Sequence, residues 1–303
     1  MKKNTASLGG NLLLLLTAFI WGVAFVAQKS GGAELGALTF NGVRSLIGCG
    51  ALCAAIPLLD KLGLSHRCDT PTQRKALWTG GLLCGLALFS ATNLQQLGLL
   101  YTTVGKGGFI TALYIVLVPL LGLFFRRRVP LLTWLGVLLA VVGLYLLCGR
   151  GETGINIGDL LVLVCALLFA VQIMLVSHYA PLVDGVRLSC IQFLVVGVLN
   201  IPLMFCFEQP SLAAIADNWM SVLYAGVLSS GVAYTLQIIA QRRTNPTAAS
   251  LLMSLESVFA VLAGWVLLGD KLAVAELVGC GLMFAAVLLA QLPPVKGKER
   301  SYG

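Results

Sequence analysis

The chain has 303 residues, of which 58% are hydrophobic and 11% charged, with a mean hydropathy of +0.94. A soluble domain carries about a quarter charged residues, so this chain has too little charge to coat a water-facing surface, and an integral membrane protein is expected. The net charge of +8 comes without a basic module or aromatic–basic interleaving, which sets nucleic acid aside and leaves the lipid bilayer as the partner that the composition names.

Each crossing of a hydrocarbon core needs about 20 apolar residues. Dividing the apolar runs at charges, Gly/Pro punctuation and polar clusters predicts ten transmembrane helices. The first, 11–29, follows Lys2 and Lys3 and begins as a signal peptide might be written, but no small-x-small site closes it and it runs on through WGVAFVAQ, so it is read as retained. The second, 35–58, carries Arg44 in mid-span, and the third, 76–98, carries Asn93, Gln95 and Gln96. The fourth, 103–125, opens on TVGKGGF and holds Tyr114; the fifth is 130–149. Helices 158–177, 187–206 and 218–240 carry Gln172, Gln192, and Tyr234 with Gln237, respectively. The ninth, 246–268, contains Glu256 in an otherwise apolar and small run, and 272–291 is the last. Residues 1–10 and 292–303 are then tails.

With the N-terminus in the cytoplasm, the connections on that side hold fifteen Lys and Arg residues, RRR at 126–128 among them. The opposite side holds four: Lys29, Lys106, Arg150 and Lys271. This is the asymmetry of the positive-inside rule, and it places both termini in the cytoplasm.

The two halves share a rhythm. LLLLTAFIWGVAFVAQKS (13–30) parallels LLVLVCALLFAVQIMLVSH (160–178), WLGVLLAVVGLYLL (134–147) parallels LVGCGLMFAAVLLA (277–290), and NLQQLGLL (93–100) aligns with YTLQIIAQ (234–241), pairing Gln96 with Gln237. Five helices per half is an odd number, so the second copy enters the membrane inverted. Inverted repeats mark many secondary transporters, whose substrate lies near the midplane between the halves.

FIWGVAF, Arg44 within TFNGVRSLIG, YTTVGKGGFITALYIVLVPLLG, WLGVLLAVVGLYLL and SLESVFAVLAGWVLLGDKLAVAELVGCGLMFAAVLLA stand in the order and spacing of the EamA-type transporters of the drug/metabolite transporter superfamily. The chain resembles that family over nearly its whole length. The resemblance implies an all-α integral membrane protein of two five-helix repeats, 11–149 and 158–291, around a central cavity. It also implies transport of small metabolites, often export of amino acids or related amphipathic compounds. Two departures stand out. Ser257 takes the place of the proline that usually follows Leu-Glu in the second module, which is expected to remove a kink beside Glu256, and RRRVP replaces a G-E-like turn after the fourth helix.

An ionisable side chain at the centre of a span costs roughly 2.5–3.5 kcal/mol on insertion scales and generally faces the bundle interior. Glu256 either lines the cavity, exchanging a proton or meeting a cationic group of the substrate, or is structural, hydrogen-bonded to neighbouring helices or paired with Arg44. Arg44 either binds a substrate carboxylate bidentately, ties loops and helix ends together, or serves as that partner. Asn93 and Gln96 are three apart on one helical face, and with Gln237 from the other half they form the expected polar wall. Gln28, Gln95, Gln172, Gln192 and Tyr234 are further wall candidates, and Trp21 and Tyr114 are candidates for stacking on a substrate. The competing reading for each neutral group is interhelical hydrogen bonding.

The glycines of TVGKGGF lack the GxxxxGK[ST] arrangement, so they are read as packing or hinge positions. Eight of the nine cysteines lie in apolar runs and only Cys68 lies in a polar loop. Cys49 and Cys53 are one helical turn apart and no CxxC occurs, so the cysteines are read as packing residues. His66 and His178 have no zinc spacing, and no cofactor is expected. With short loops and no His/Asp/Glu constellation, an enzyme is disfavoured; a passive channel or structural helper is the other alternative. The expectation is a plasma-membrane secondary transporter for a small organic solute, by alternating access and outward, with proton coupling as the default because no ATP-binding motif is present.

Overall fold

In the computed structural model, which describes residues 2–102, 104–125, 129–148, 156–268 and 273–291, every regular element among the described residues is a helix. Phe124, Leu138, Val274 and Leu288 face outward, each more than 60% exposed. Such a surface suits lipid and would aggregate in water, while helices leave no backbone group unpaired in hydrocarbon. The chain is a multi-pass membrane protein. Eight helical stretches have the length and hydropathy to cross a bilayer, and the expected fifth and tenth spans fall on shorter apolar helices, Leu131–Leu146 and Val274–Leu289. RRR at 126–128, Arg150, Lys271 and the tail 292–303 lie outside the described residues.

Helix α1 (Lys2–Leu35) is followed, after one residue, by α2 (Ala37–Lys61). That residue, Gly36, has φ +84°, and a Cβ there would fall 2.6 Å from the Glu208 carboxyl carbon. The close approach lets the Glu208 carboxylate accept from the amides of Leu38 (2.9 Å) and Thr39 (2.7 Å) and from the Thr39 hydroxyl (2.6 Å). An anion thus sits on the N-terminus of α2, where free amides and the helix dipole favour it. Helix α3 (Pro71–Gly98) opens on a capping box between Thr70 and Gln73 with Pro71 in the first turn, the arrangement that satisfies orphan amides with least loss.

The next span is α4 (Val104–Ala112) followed by α5 (Tyr114–Phe124), with a tightened turn at Leu113, whose amide bonds Ile110 O rather than the carbonyl four residues back. Helix α6 (Leu131–Cys148) precedes α7 (Ile157–Tyr179), which starts on an Asn156–Asp159 capping box. Helix α8 (Gly185–Phe207) starts on Asp184, whose side chain accepts from Arg187 N. A short α9 (Leu212–Asp217) leads into one long span made of α10 (Trp219–Leu223), a widened π-helix π1 (Tyr224–Ala233) and α11 (Tyr234–Gln241). The following span is α12 (Pro246–Met253), α13 (Glu256–Ala263) and π2 (Gly264–Leu268), and α14 (Val274–Gln291) is last.

The interruptions were not legible in the hydropathy. The expectation that Ser257, in place of proline, leaves the helix unkinked beside Glu256 is not met. The helix tightens at Ser254–Leu255, where Leu255 N bonds Leu252 O, and the Ser254 hydroxyl donates back to Leu251 O at 2.8 Å. Serine hydroxyls that bond back along a helix bend it without a proline.

Helix α6 packs along α14; α2 packs against α8 and π1; α3 against α7 and α8; α4 and α5 against α7; and α1 against π1, α11, α12 and α13. Small residues allow the closest crossings. Where the end of α3 meets the start of α7, a Cβ on Gly98 would lie 2.9 Å from Gly158 O, and one on Gly158 would lie 2.6 Å from Gly98 O. At the opposite end of α2 from Glu208, Arg187 makes a two-pronged pair with Asp60 (3.0 and 2.7 Å), and Asp184 accepts from the Ser65 hydroxyl (3.1 Å) and His66 N (3.0 Å). Polar contacts therefore hold both ends of the α2–α8 pair.

Candidate functional site

The tightened turns do more than bend two helices. Each places a polar side chain immediately after it, Tyr114 at the head of α5 and Glu256 at the head of α13, and the two meet: Tyr114 Oη donates to Glu256 Oε1 at 3.1 Å. Around them is a cavity lined among others by Trp21, Arg44, Gln95, Gln172, Tyr234 and Gln237. Small-molecule sites combine apolar walls with a few polar groups that fix orientation.

Glu256 is 7% exposed and has the Tyr114 hydroxyl as its hydrogen-bond donor. Arg44, 5% exposed, presents its guanidinium 5.7 Å from the centre of the Phe40 ring, and its Nε has no hydrogen-bond partner. Among the described residues, no carboxylate pairs with Arg44 and no cation pairs with Glu256. The structural pairing of the two weighed from sequence is therefore absent. Both groups line one cavity without pairing with each other.

The aromatic side of the cavity is built by α1 and the π1–α11 span. Trp21 stacks at a tilt on Tyr234 with centroids 4.6 Å apart, and its Nε1 donates to Ser229 O at 3.4 Å. Ser229 lies in π1, and segments of π geometry recur at functional sites. Tyr234 in turn meets the edge of Phe193. Opposite, a chain of amides runs from the cavity into the bundle: Gln237 Nε2 donates to Gln172 Oε1 (3.3 Å), and Gln172 Nε2 donates to Gln192 Oε1 (3.4 Å). The chain leaves Gln237 Oε1 without a donor, an open acceptor on a residue of the cavity wall.

Of the eight residues singled out from sequence, Glu256, Arg44, Gln237, Trp21, Tyr114 and Gln172 line this cavity, and Asn93 and Gln96 do not. Asn93 Oδ1 instead accepts from Asn41 Nδ2 at 2.9 Å, and Gln96 Nε2 donates to Gln28 O at 3.4 Å, so these two bond α3 to α2 and α1. The helix turns Gln95 into the cavity in their place, where its Nε2 donates to Thr111 Oγ1 at 3.2 Å. The expected wall of Asn93, Gln96 and Gln237 is thus split. Thr111, Ser229 and Met253 also line the cavity; as common small or apolar residues of membrane helices, they carried no signal in the sequence. Gly107 sits against Leu99, where a Cβ would meet Cδ2 at 2.5 Å, whereas Gly108 has open space.

The EamA-like transporter family matches this sequence twice, over residues 8–149 and 156–292. The chain belongs to the EamA-like transporter family. Its relatives point the same way: an uncharacterized transporter of Archaeoglobus fulgidus is 32% identical over 96% of this chain and 87% of its own length. The inner membrane transporter YedA of Escherichia coli K12 is 27% identical over 90% of this chain and 87% of its own. YoaV of Bacillus subtilis, also described as a transporter, is 21% identical over 91% and 94%. A solved crystal structure superposes with a TM-score of 0.77 over 93% of this EamA-like chain and 96% of the other at 19% identity, which speaks for the fold. Family and relatives alike point to a transporter and not an enzyme, with a small-molecule substrate and a lipid surround.

Proposed function

We infer that this EamA-like protein is a secondary active transporter of the drug/metabolite superfamily. It exports a small amphoteric metabolite, amino-acid-like in carrying one acidic and one basic group, across the plasma membrane by alternating access and in exchange for protons. The observation that carries this reading is a pair of ionisable groups of opposite sign in one cavity. Arg44 offers fixed donors to a carboxylate, Glu256 offers an acceptor to an ammonium group, and among the described residues neither has an ion-pair partner. A zwitterion supplies both counter-charges at once, and charge-assisted hydrogen bonds of this kind are about twice as strong as neutral ones. Trp21 and Tyr234 face its apolar part. Glu256 has a second role as the group that carries the proton, since a carboxylate freed of its ligand in the bundle interior has no other counter-charge.

Alternating access is supported by the packing. Counting ten spans, with 11–149 and 158–291 as inverted repeats, the most extensive contacts between the halves have counterparts when the halves are exchanged. Helix α3 on α7 corresponds to the π1–α11 span on α1; α4 and α5 on α7 correspond to α12 and α13 on α1; and α6 on α14 corresponds to itself. The tightened turns correspond too: Leu113 N to Ile110 O matches Leu255 N to Leu252 O, and Leu117 N to Leu113 O matches Phe259 N to Leu255 O. Paired discontinuous helices in corresponding positions are the features from which transporters build midplane sites. The excess of basic residues on one side supports cytoplasmic termini, and the inner-membrane description of YedA supports the plasma membrane.

The test is efflux from liposomes loaded with a mixed amino-acid pool, with and without an imposed pH gradient. Wild type is expected to release zwitterions faster with the gradient, and N-acetylated or amidated analogues poorly. Glu256→Gln is expected to lose the gradient dependence, and Arg44→Gln to lose discrimination against the amides. A folded Glu256→Gln protein with an unchanged pH response would sink the coupling role, and flux independent of any gradient in the wild type would indicate a channel.

A further inference from the structure

The middle of the α2–α8 pair contains a group of atoms that transport does not use. Cys49 and Cys53, one turn apart on α2, face Cys190 on α8, with Cys53 Sγ 3.3 Å and Cys49 Sγ 3.7 Å from Cys190 Sγ, and all three sulfurs within 4.8 Å of one another. Cys190 lies 137 positions from Cys53, so the sequence reading of the cysteines as packing saw two members of a group of three. We propose that Cys49, Cys53 and Cys190 form a binding site for a soft monovalent cation of the copper(I) class, bridging α2 and α8.

Three observations carry this. The first is spacing: sulfurs held about 2.3 Å from one ion stand roughly 4 Å apart in a trigonal plane; the two separations to Cys190, 3.3 and 3.7 Å, fall a few tenths of an ångström short of that, and the third is within 4.8 Å. A disulfide, by contrast, requires two sulfurs to close to about 2.05 Å and has no use for the third. The second is donor chemistry. Leu52, Ile56, Val186 and Phe193 pack around the sulfurs, and no described imidazole or carboxylate joins the group. Thiolates select copper(I) and zinc, but structural zinc takes four ligands, and this site offers three. The sulfurs bind as thiolates, so uptake of the ion releases thiol protons to solvent. The third is placement: Cys49 and Cys190 are buried between the helices, while Cys53 lies at the edge of the group on the outer face of α2. Because α2 and α8 lie in the separate segments matched by the family, 8–149 and 156–292, a bound ion ties one segment to the other.

The reduced, detergent-solubilised chain would be titrated anaerobically against the copper(I)–bicinchoninate complex. Wild type is expected to withdraw one copper(I) per chain, with three sulfur neighbours at about 2.2–2.3 Å by X-ray absorption. Cys190→Ser is expected to bind at least a hundredfold more weakly, and Cys84→Ser, a buried thiol outside the group, to bind as wild type. Should Cys190→Ser fail to fold, Cys53→Ser removes a sulfur from the exposed face with the same expectation. Zinc(II) offered in place of copper(I) is expected to be lost to a chelator of moderate strength. Copper uptake that is absent from wild type, or indifferent to both Cys190 and Cys53, would overturn the site.

Discussion

Among the described residues Glu256 is held by a single side-chain donor, Tyr114 Oη, and that makes the pair open to dissection. Removing the hydroxyl in Tyr114→Phe should cost about 1–3 kcal/mol, the range for a hydrogen bond that leaves a buried partner unsatisfied. Combined with Glu256→Gln, the losses should be non-additive by at least about 0.5 kcal/mol, as residues in contact are. Thermal unfolding of the four proteins in detergent closes this cycle, and strict additivity would mean that the bond is not formed in the membrane protein. The carboxylate itself was plain in the sequence, as was Arg44, because charge is conspicuous in an apolar run. Their relation was not. Whether two mid-span charges pair or stand apart depends on which way each helix turns its face, and a helix in lipid has no polar side to fix that rotation. The same ambiguity misassigned Asn93 and Gln96: of the three polar residues Asn93, Gln95 and Gln96 on α3, only Gln95 reaches the cavity.

At the scale of elements, hydropathy located the long apolar helices but not the short α9 or the breaks within spans, because a tightened turn changes hydrogen bonds and leaves composition untouched. Helix starts were more legible in principle, since Thr70 with Gln73, Asn156 with Asp159, and Asp184 are side chains that cap. Asp184 does most, accepting at the start of α8 from Arg187 N and from Ser65 and His66 of the preceding half. Asp184→Ala should destabilise the fold by about 2 kcal/mol, somewhat above the typical 1 kcal/mol for a lost cap. Asp184→Asn, which keeps an acceptor in place, should recover about half of it. Melting temperatures in detergent measure both, and an alanine variant as stable as wild type would show that the loop and helix are not joined there.

At the scale of the whole molecule, the helices are assembled through small residues as much as through apolar bulk. Gly98 and Gly158 bring the backbones of α3 and α7 into mutual contact, leaving no room for a side chain on either. Gly158→Val should therefore force the two helices apart at a cost of about 1–3 kcal/mol, the usual range for overpacking, with reduced yield of monodisperse protein on size exclusion. The open position Gly108 should accept alanine without loss. The α2–α8 pair has a further consequence for how such a molecule can move. Its two ends are stitched by different groups, Glu208 on the first turn of α2 at one end and Asp60, Asp184 and Arg187 at the other. A pair of rods fastened at both ends can turn about its common length, but it cannot slide by one helical turn, about 5.4 Å, without tearing out one set of stitches. Helices α2 and α8 are in that sense an axle, and any motion that exposes the cavity first to one side and then to the other must swing around it.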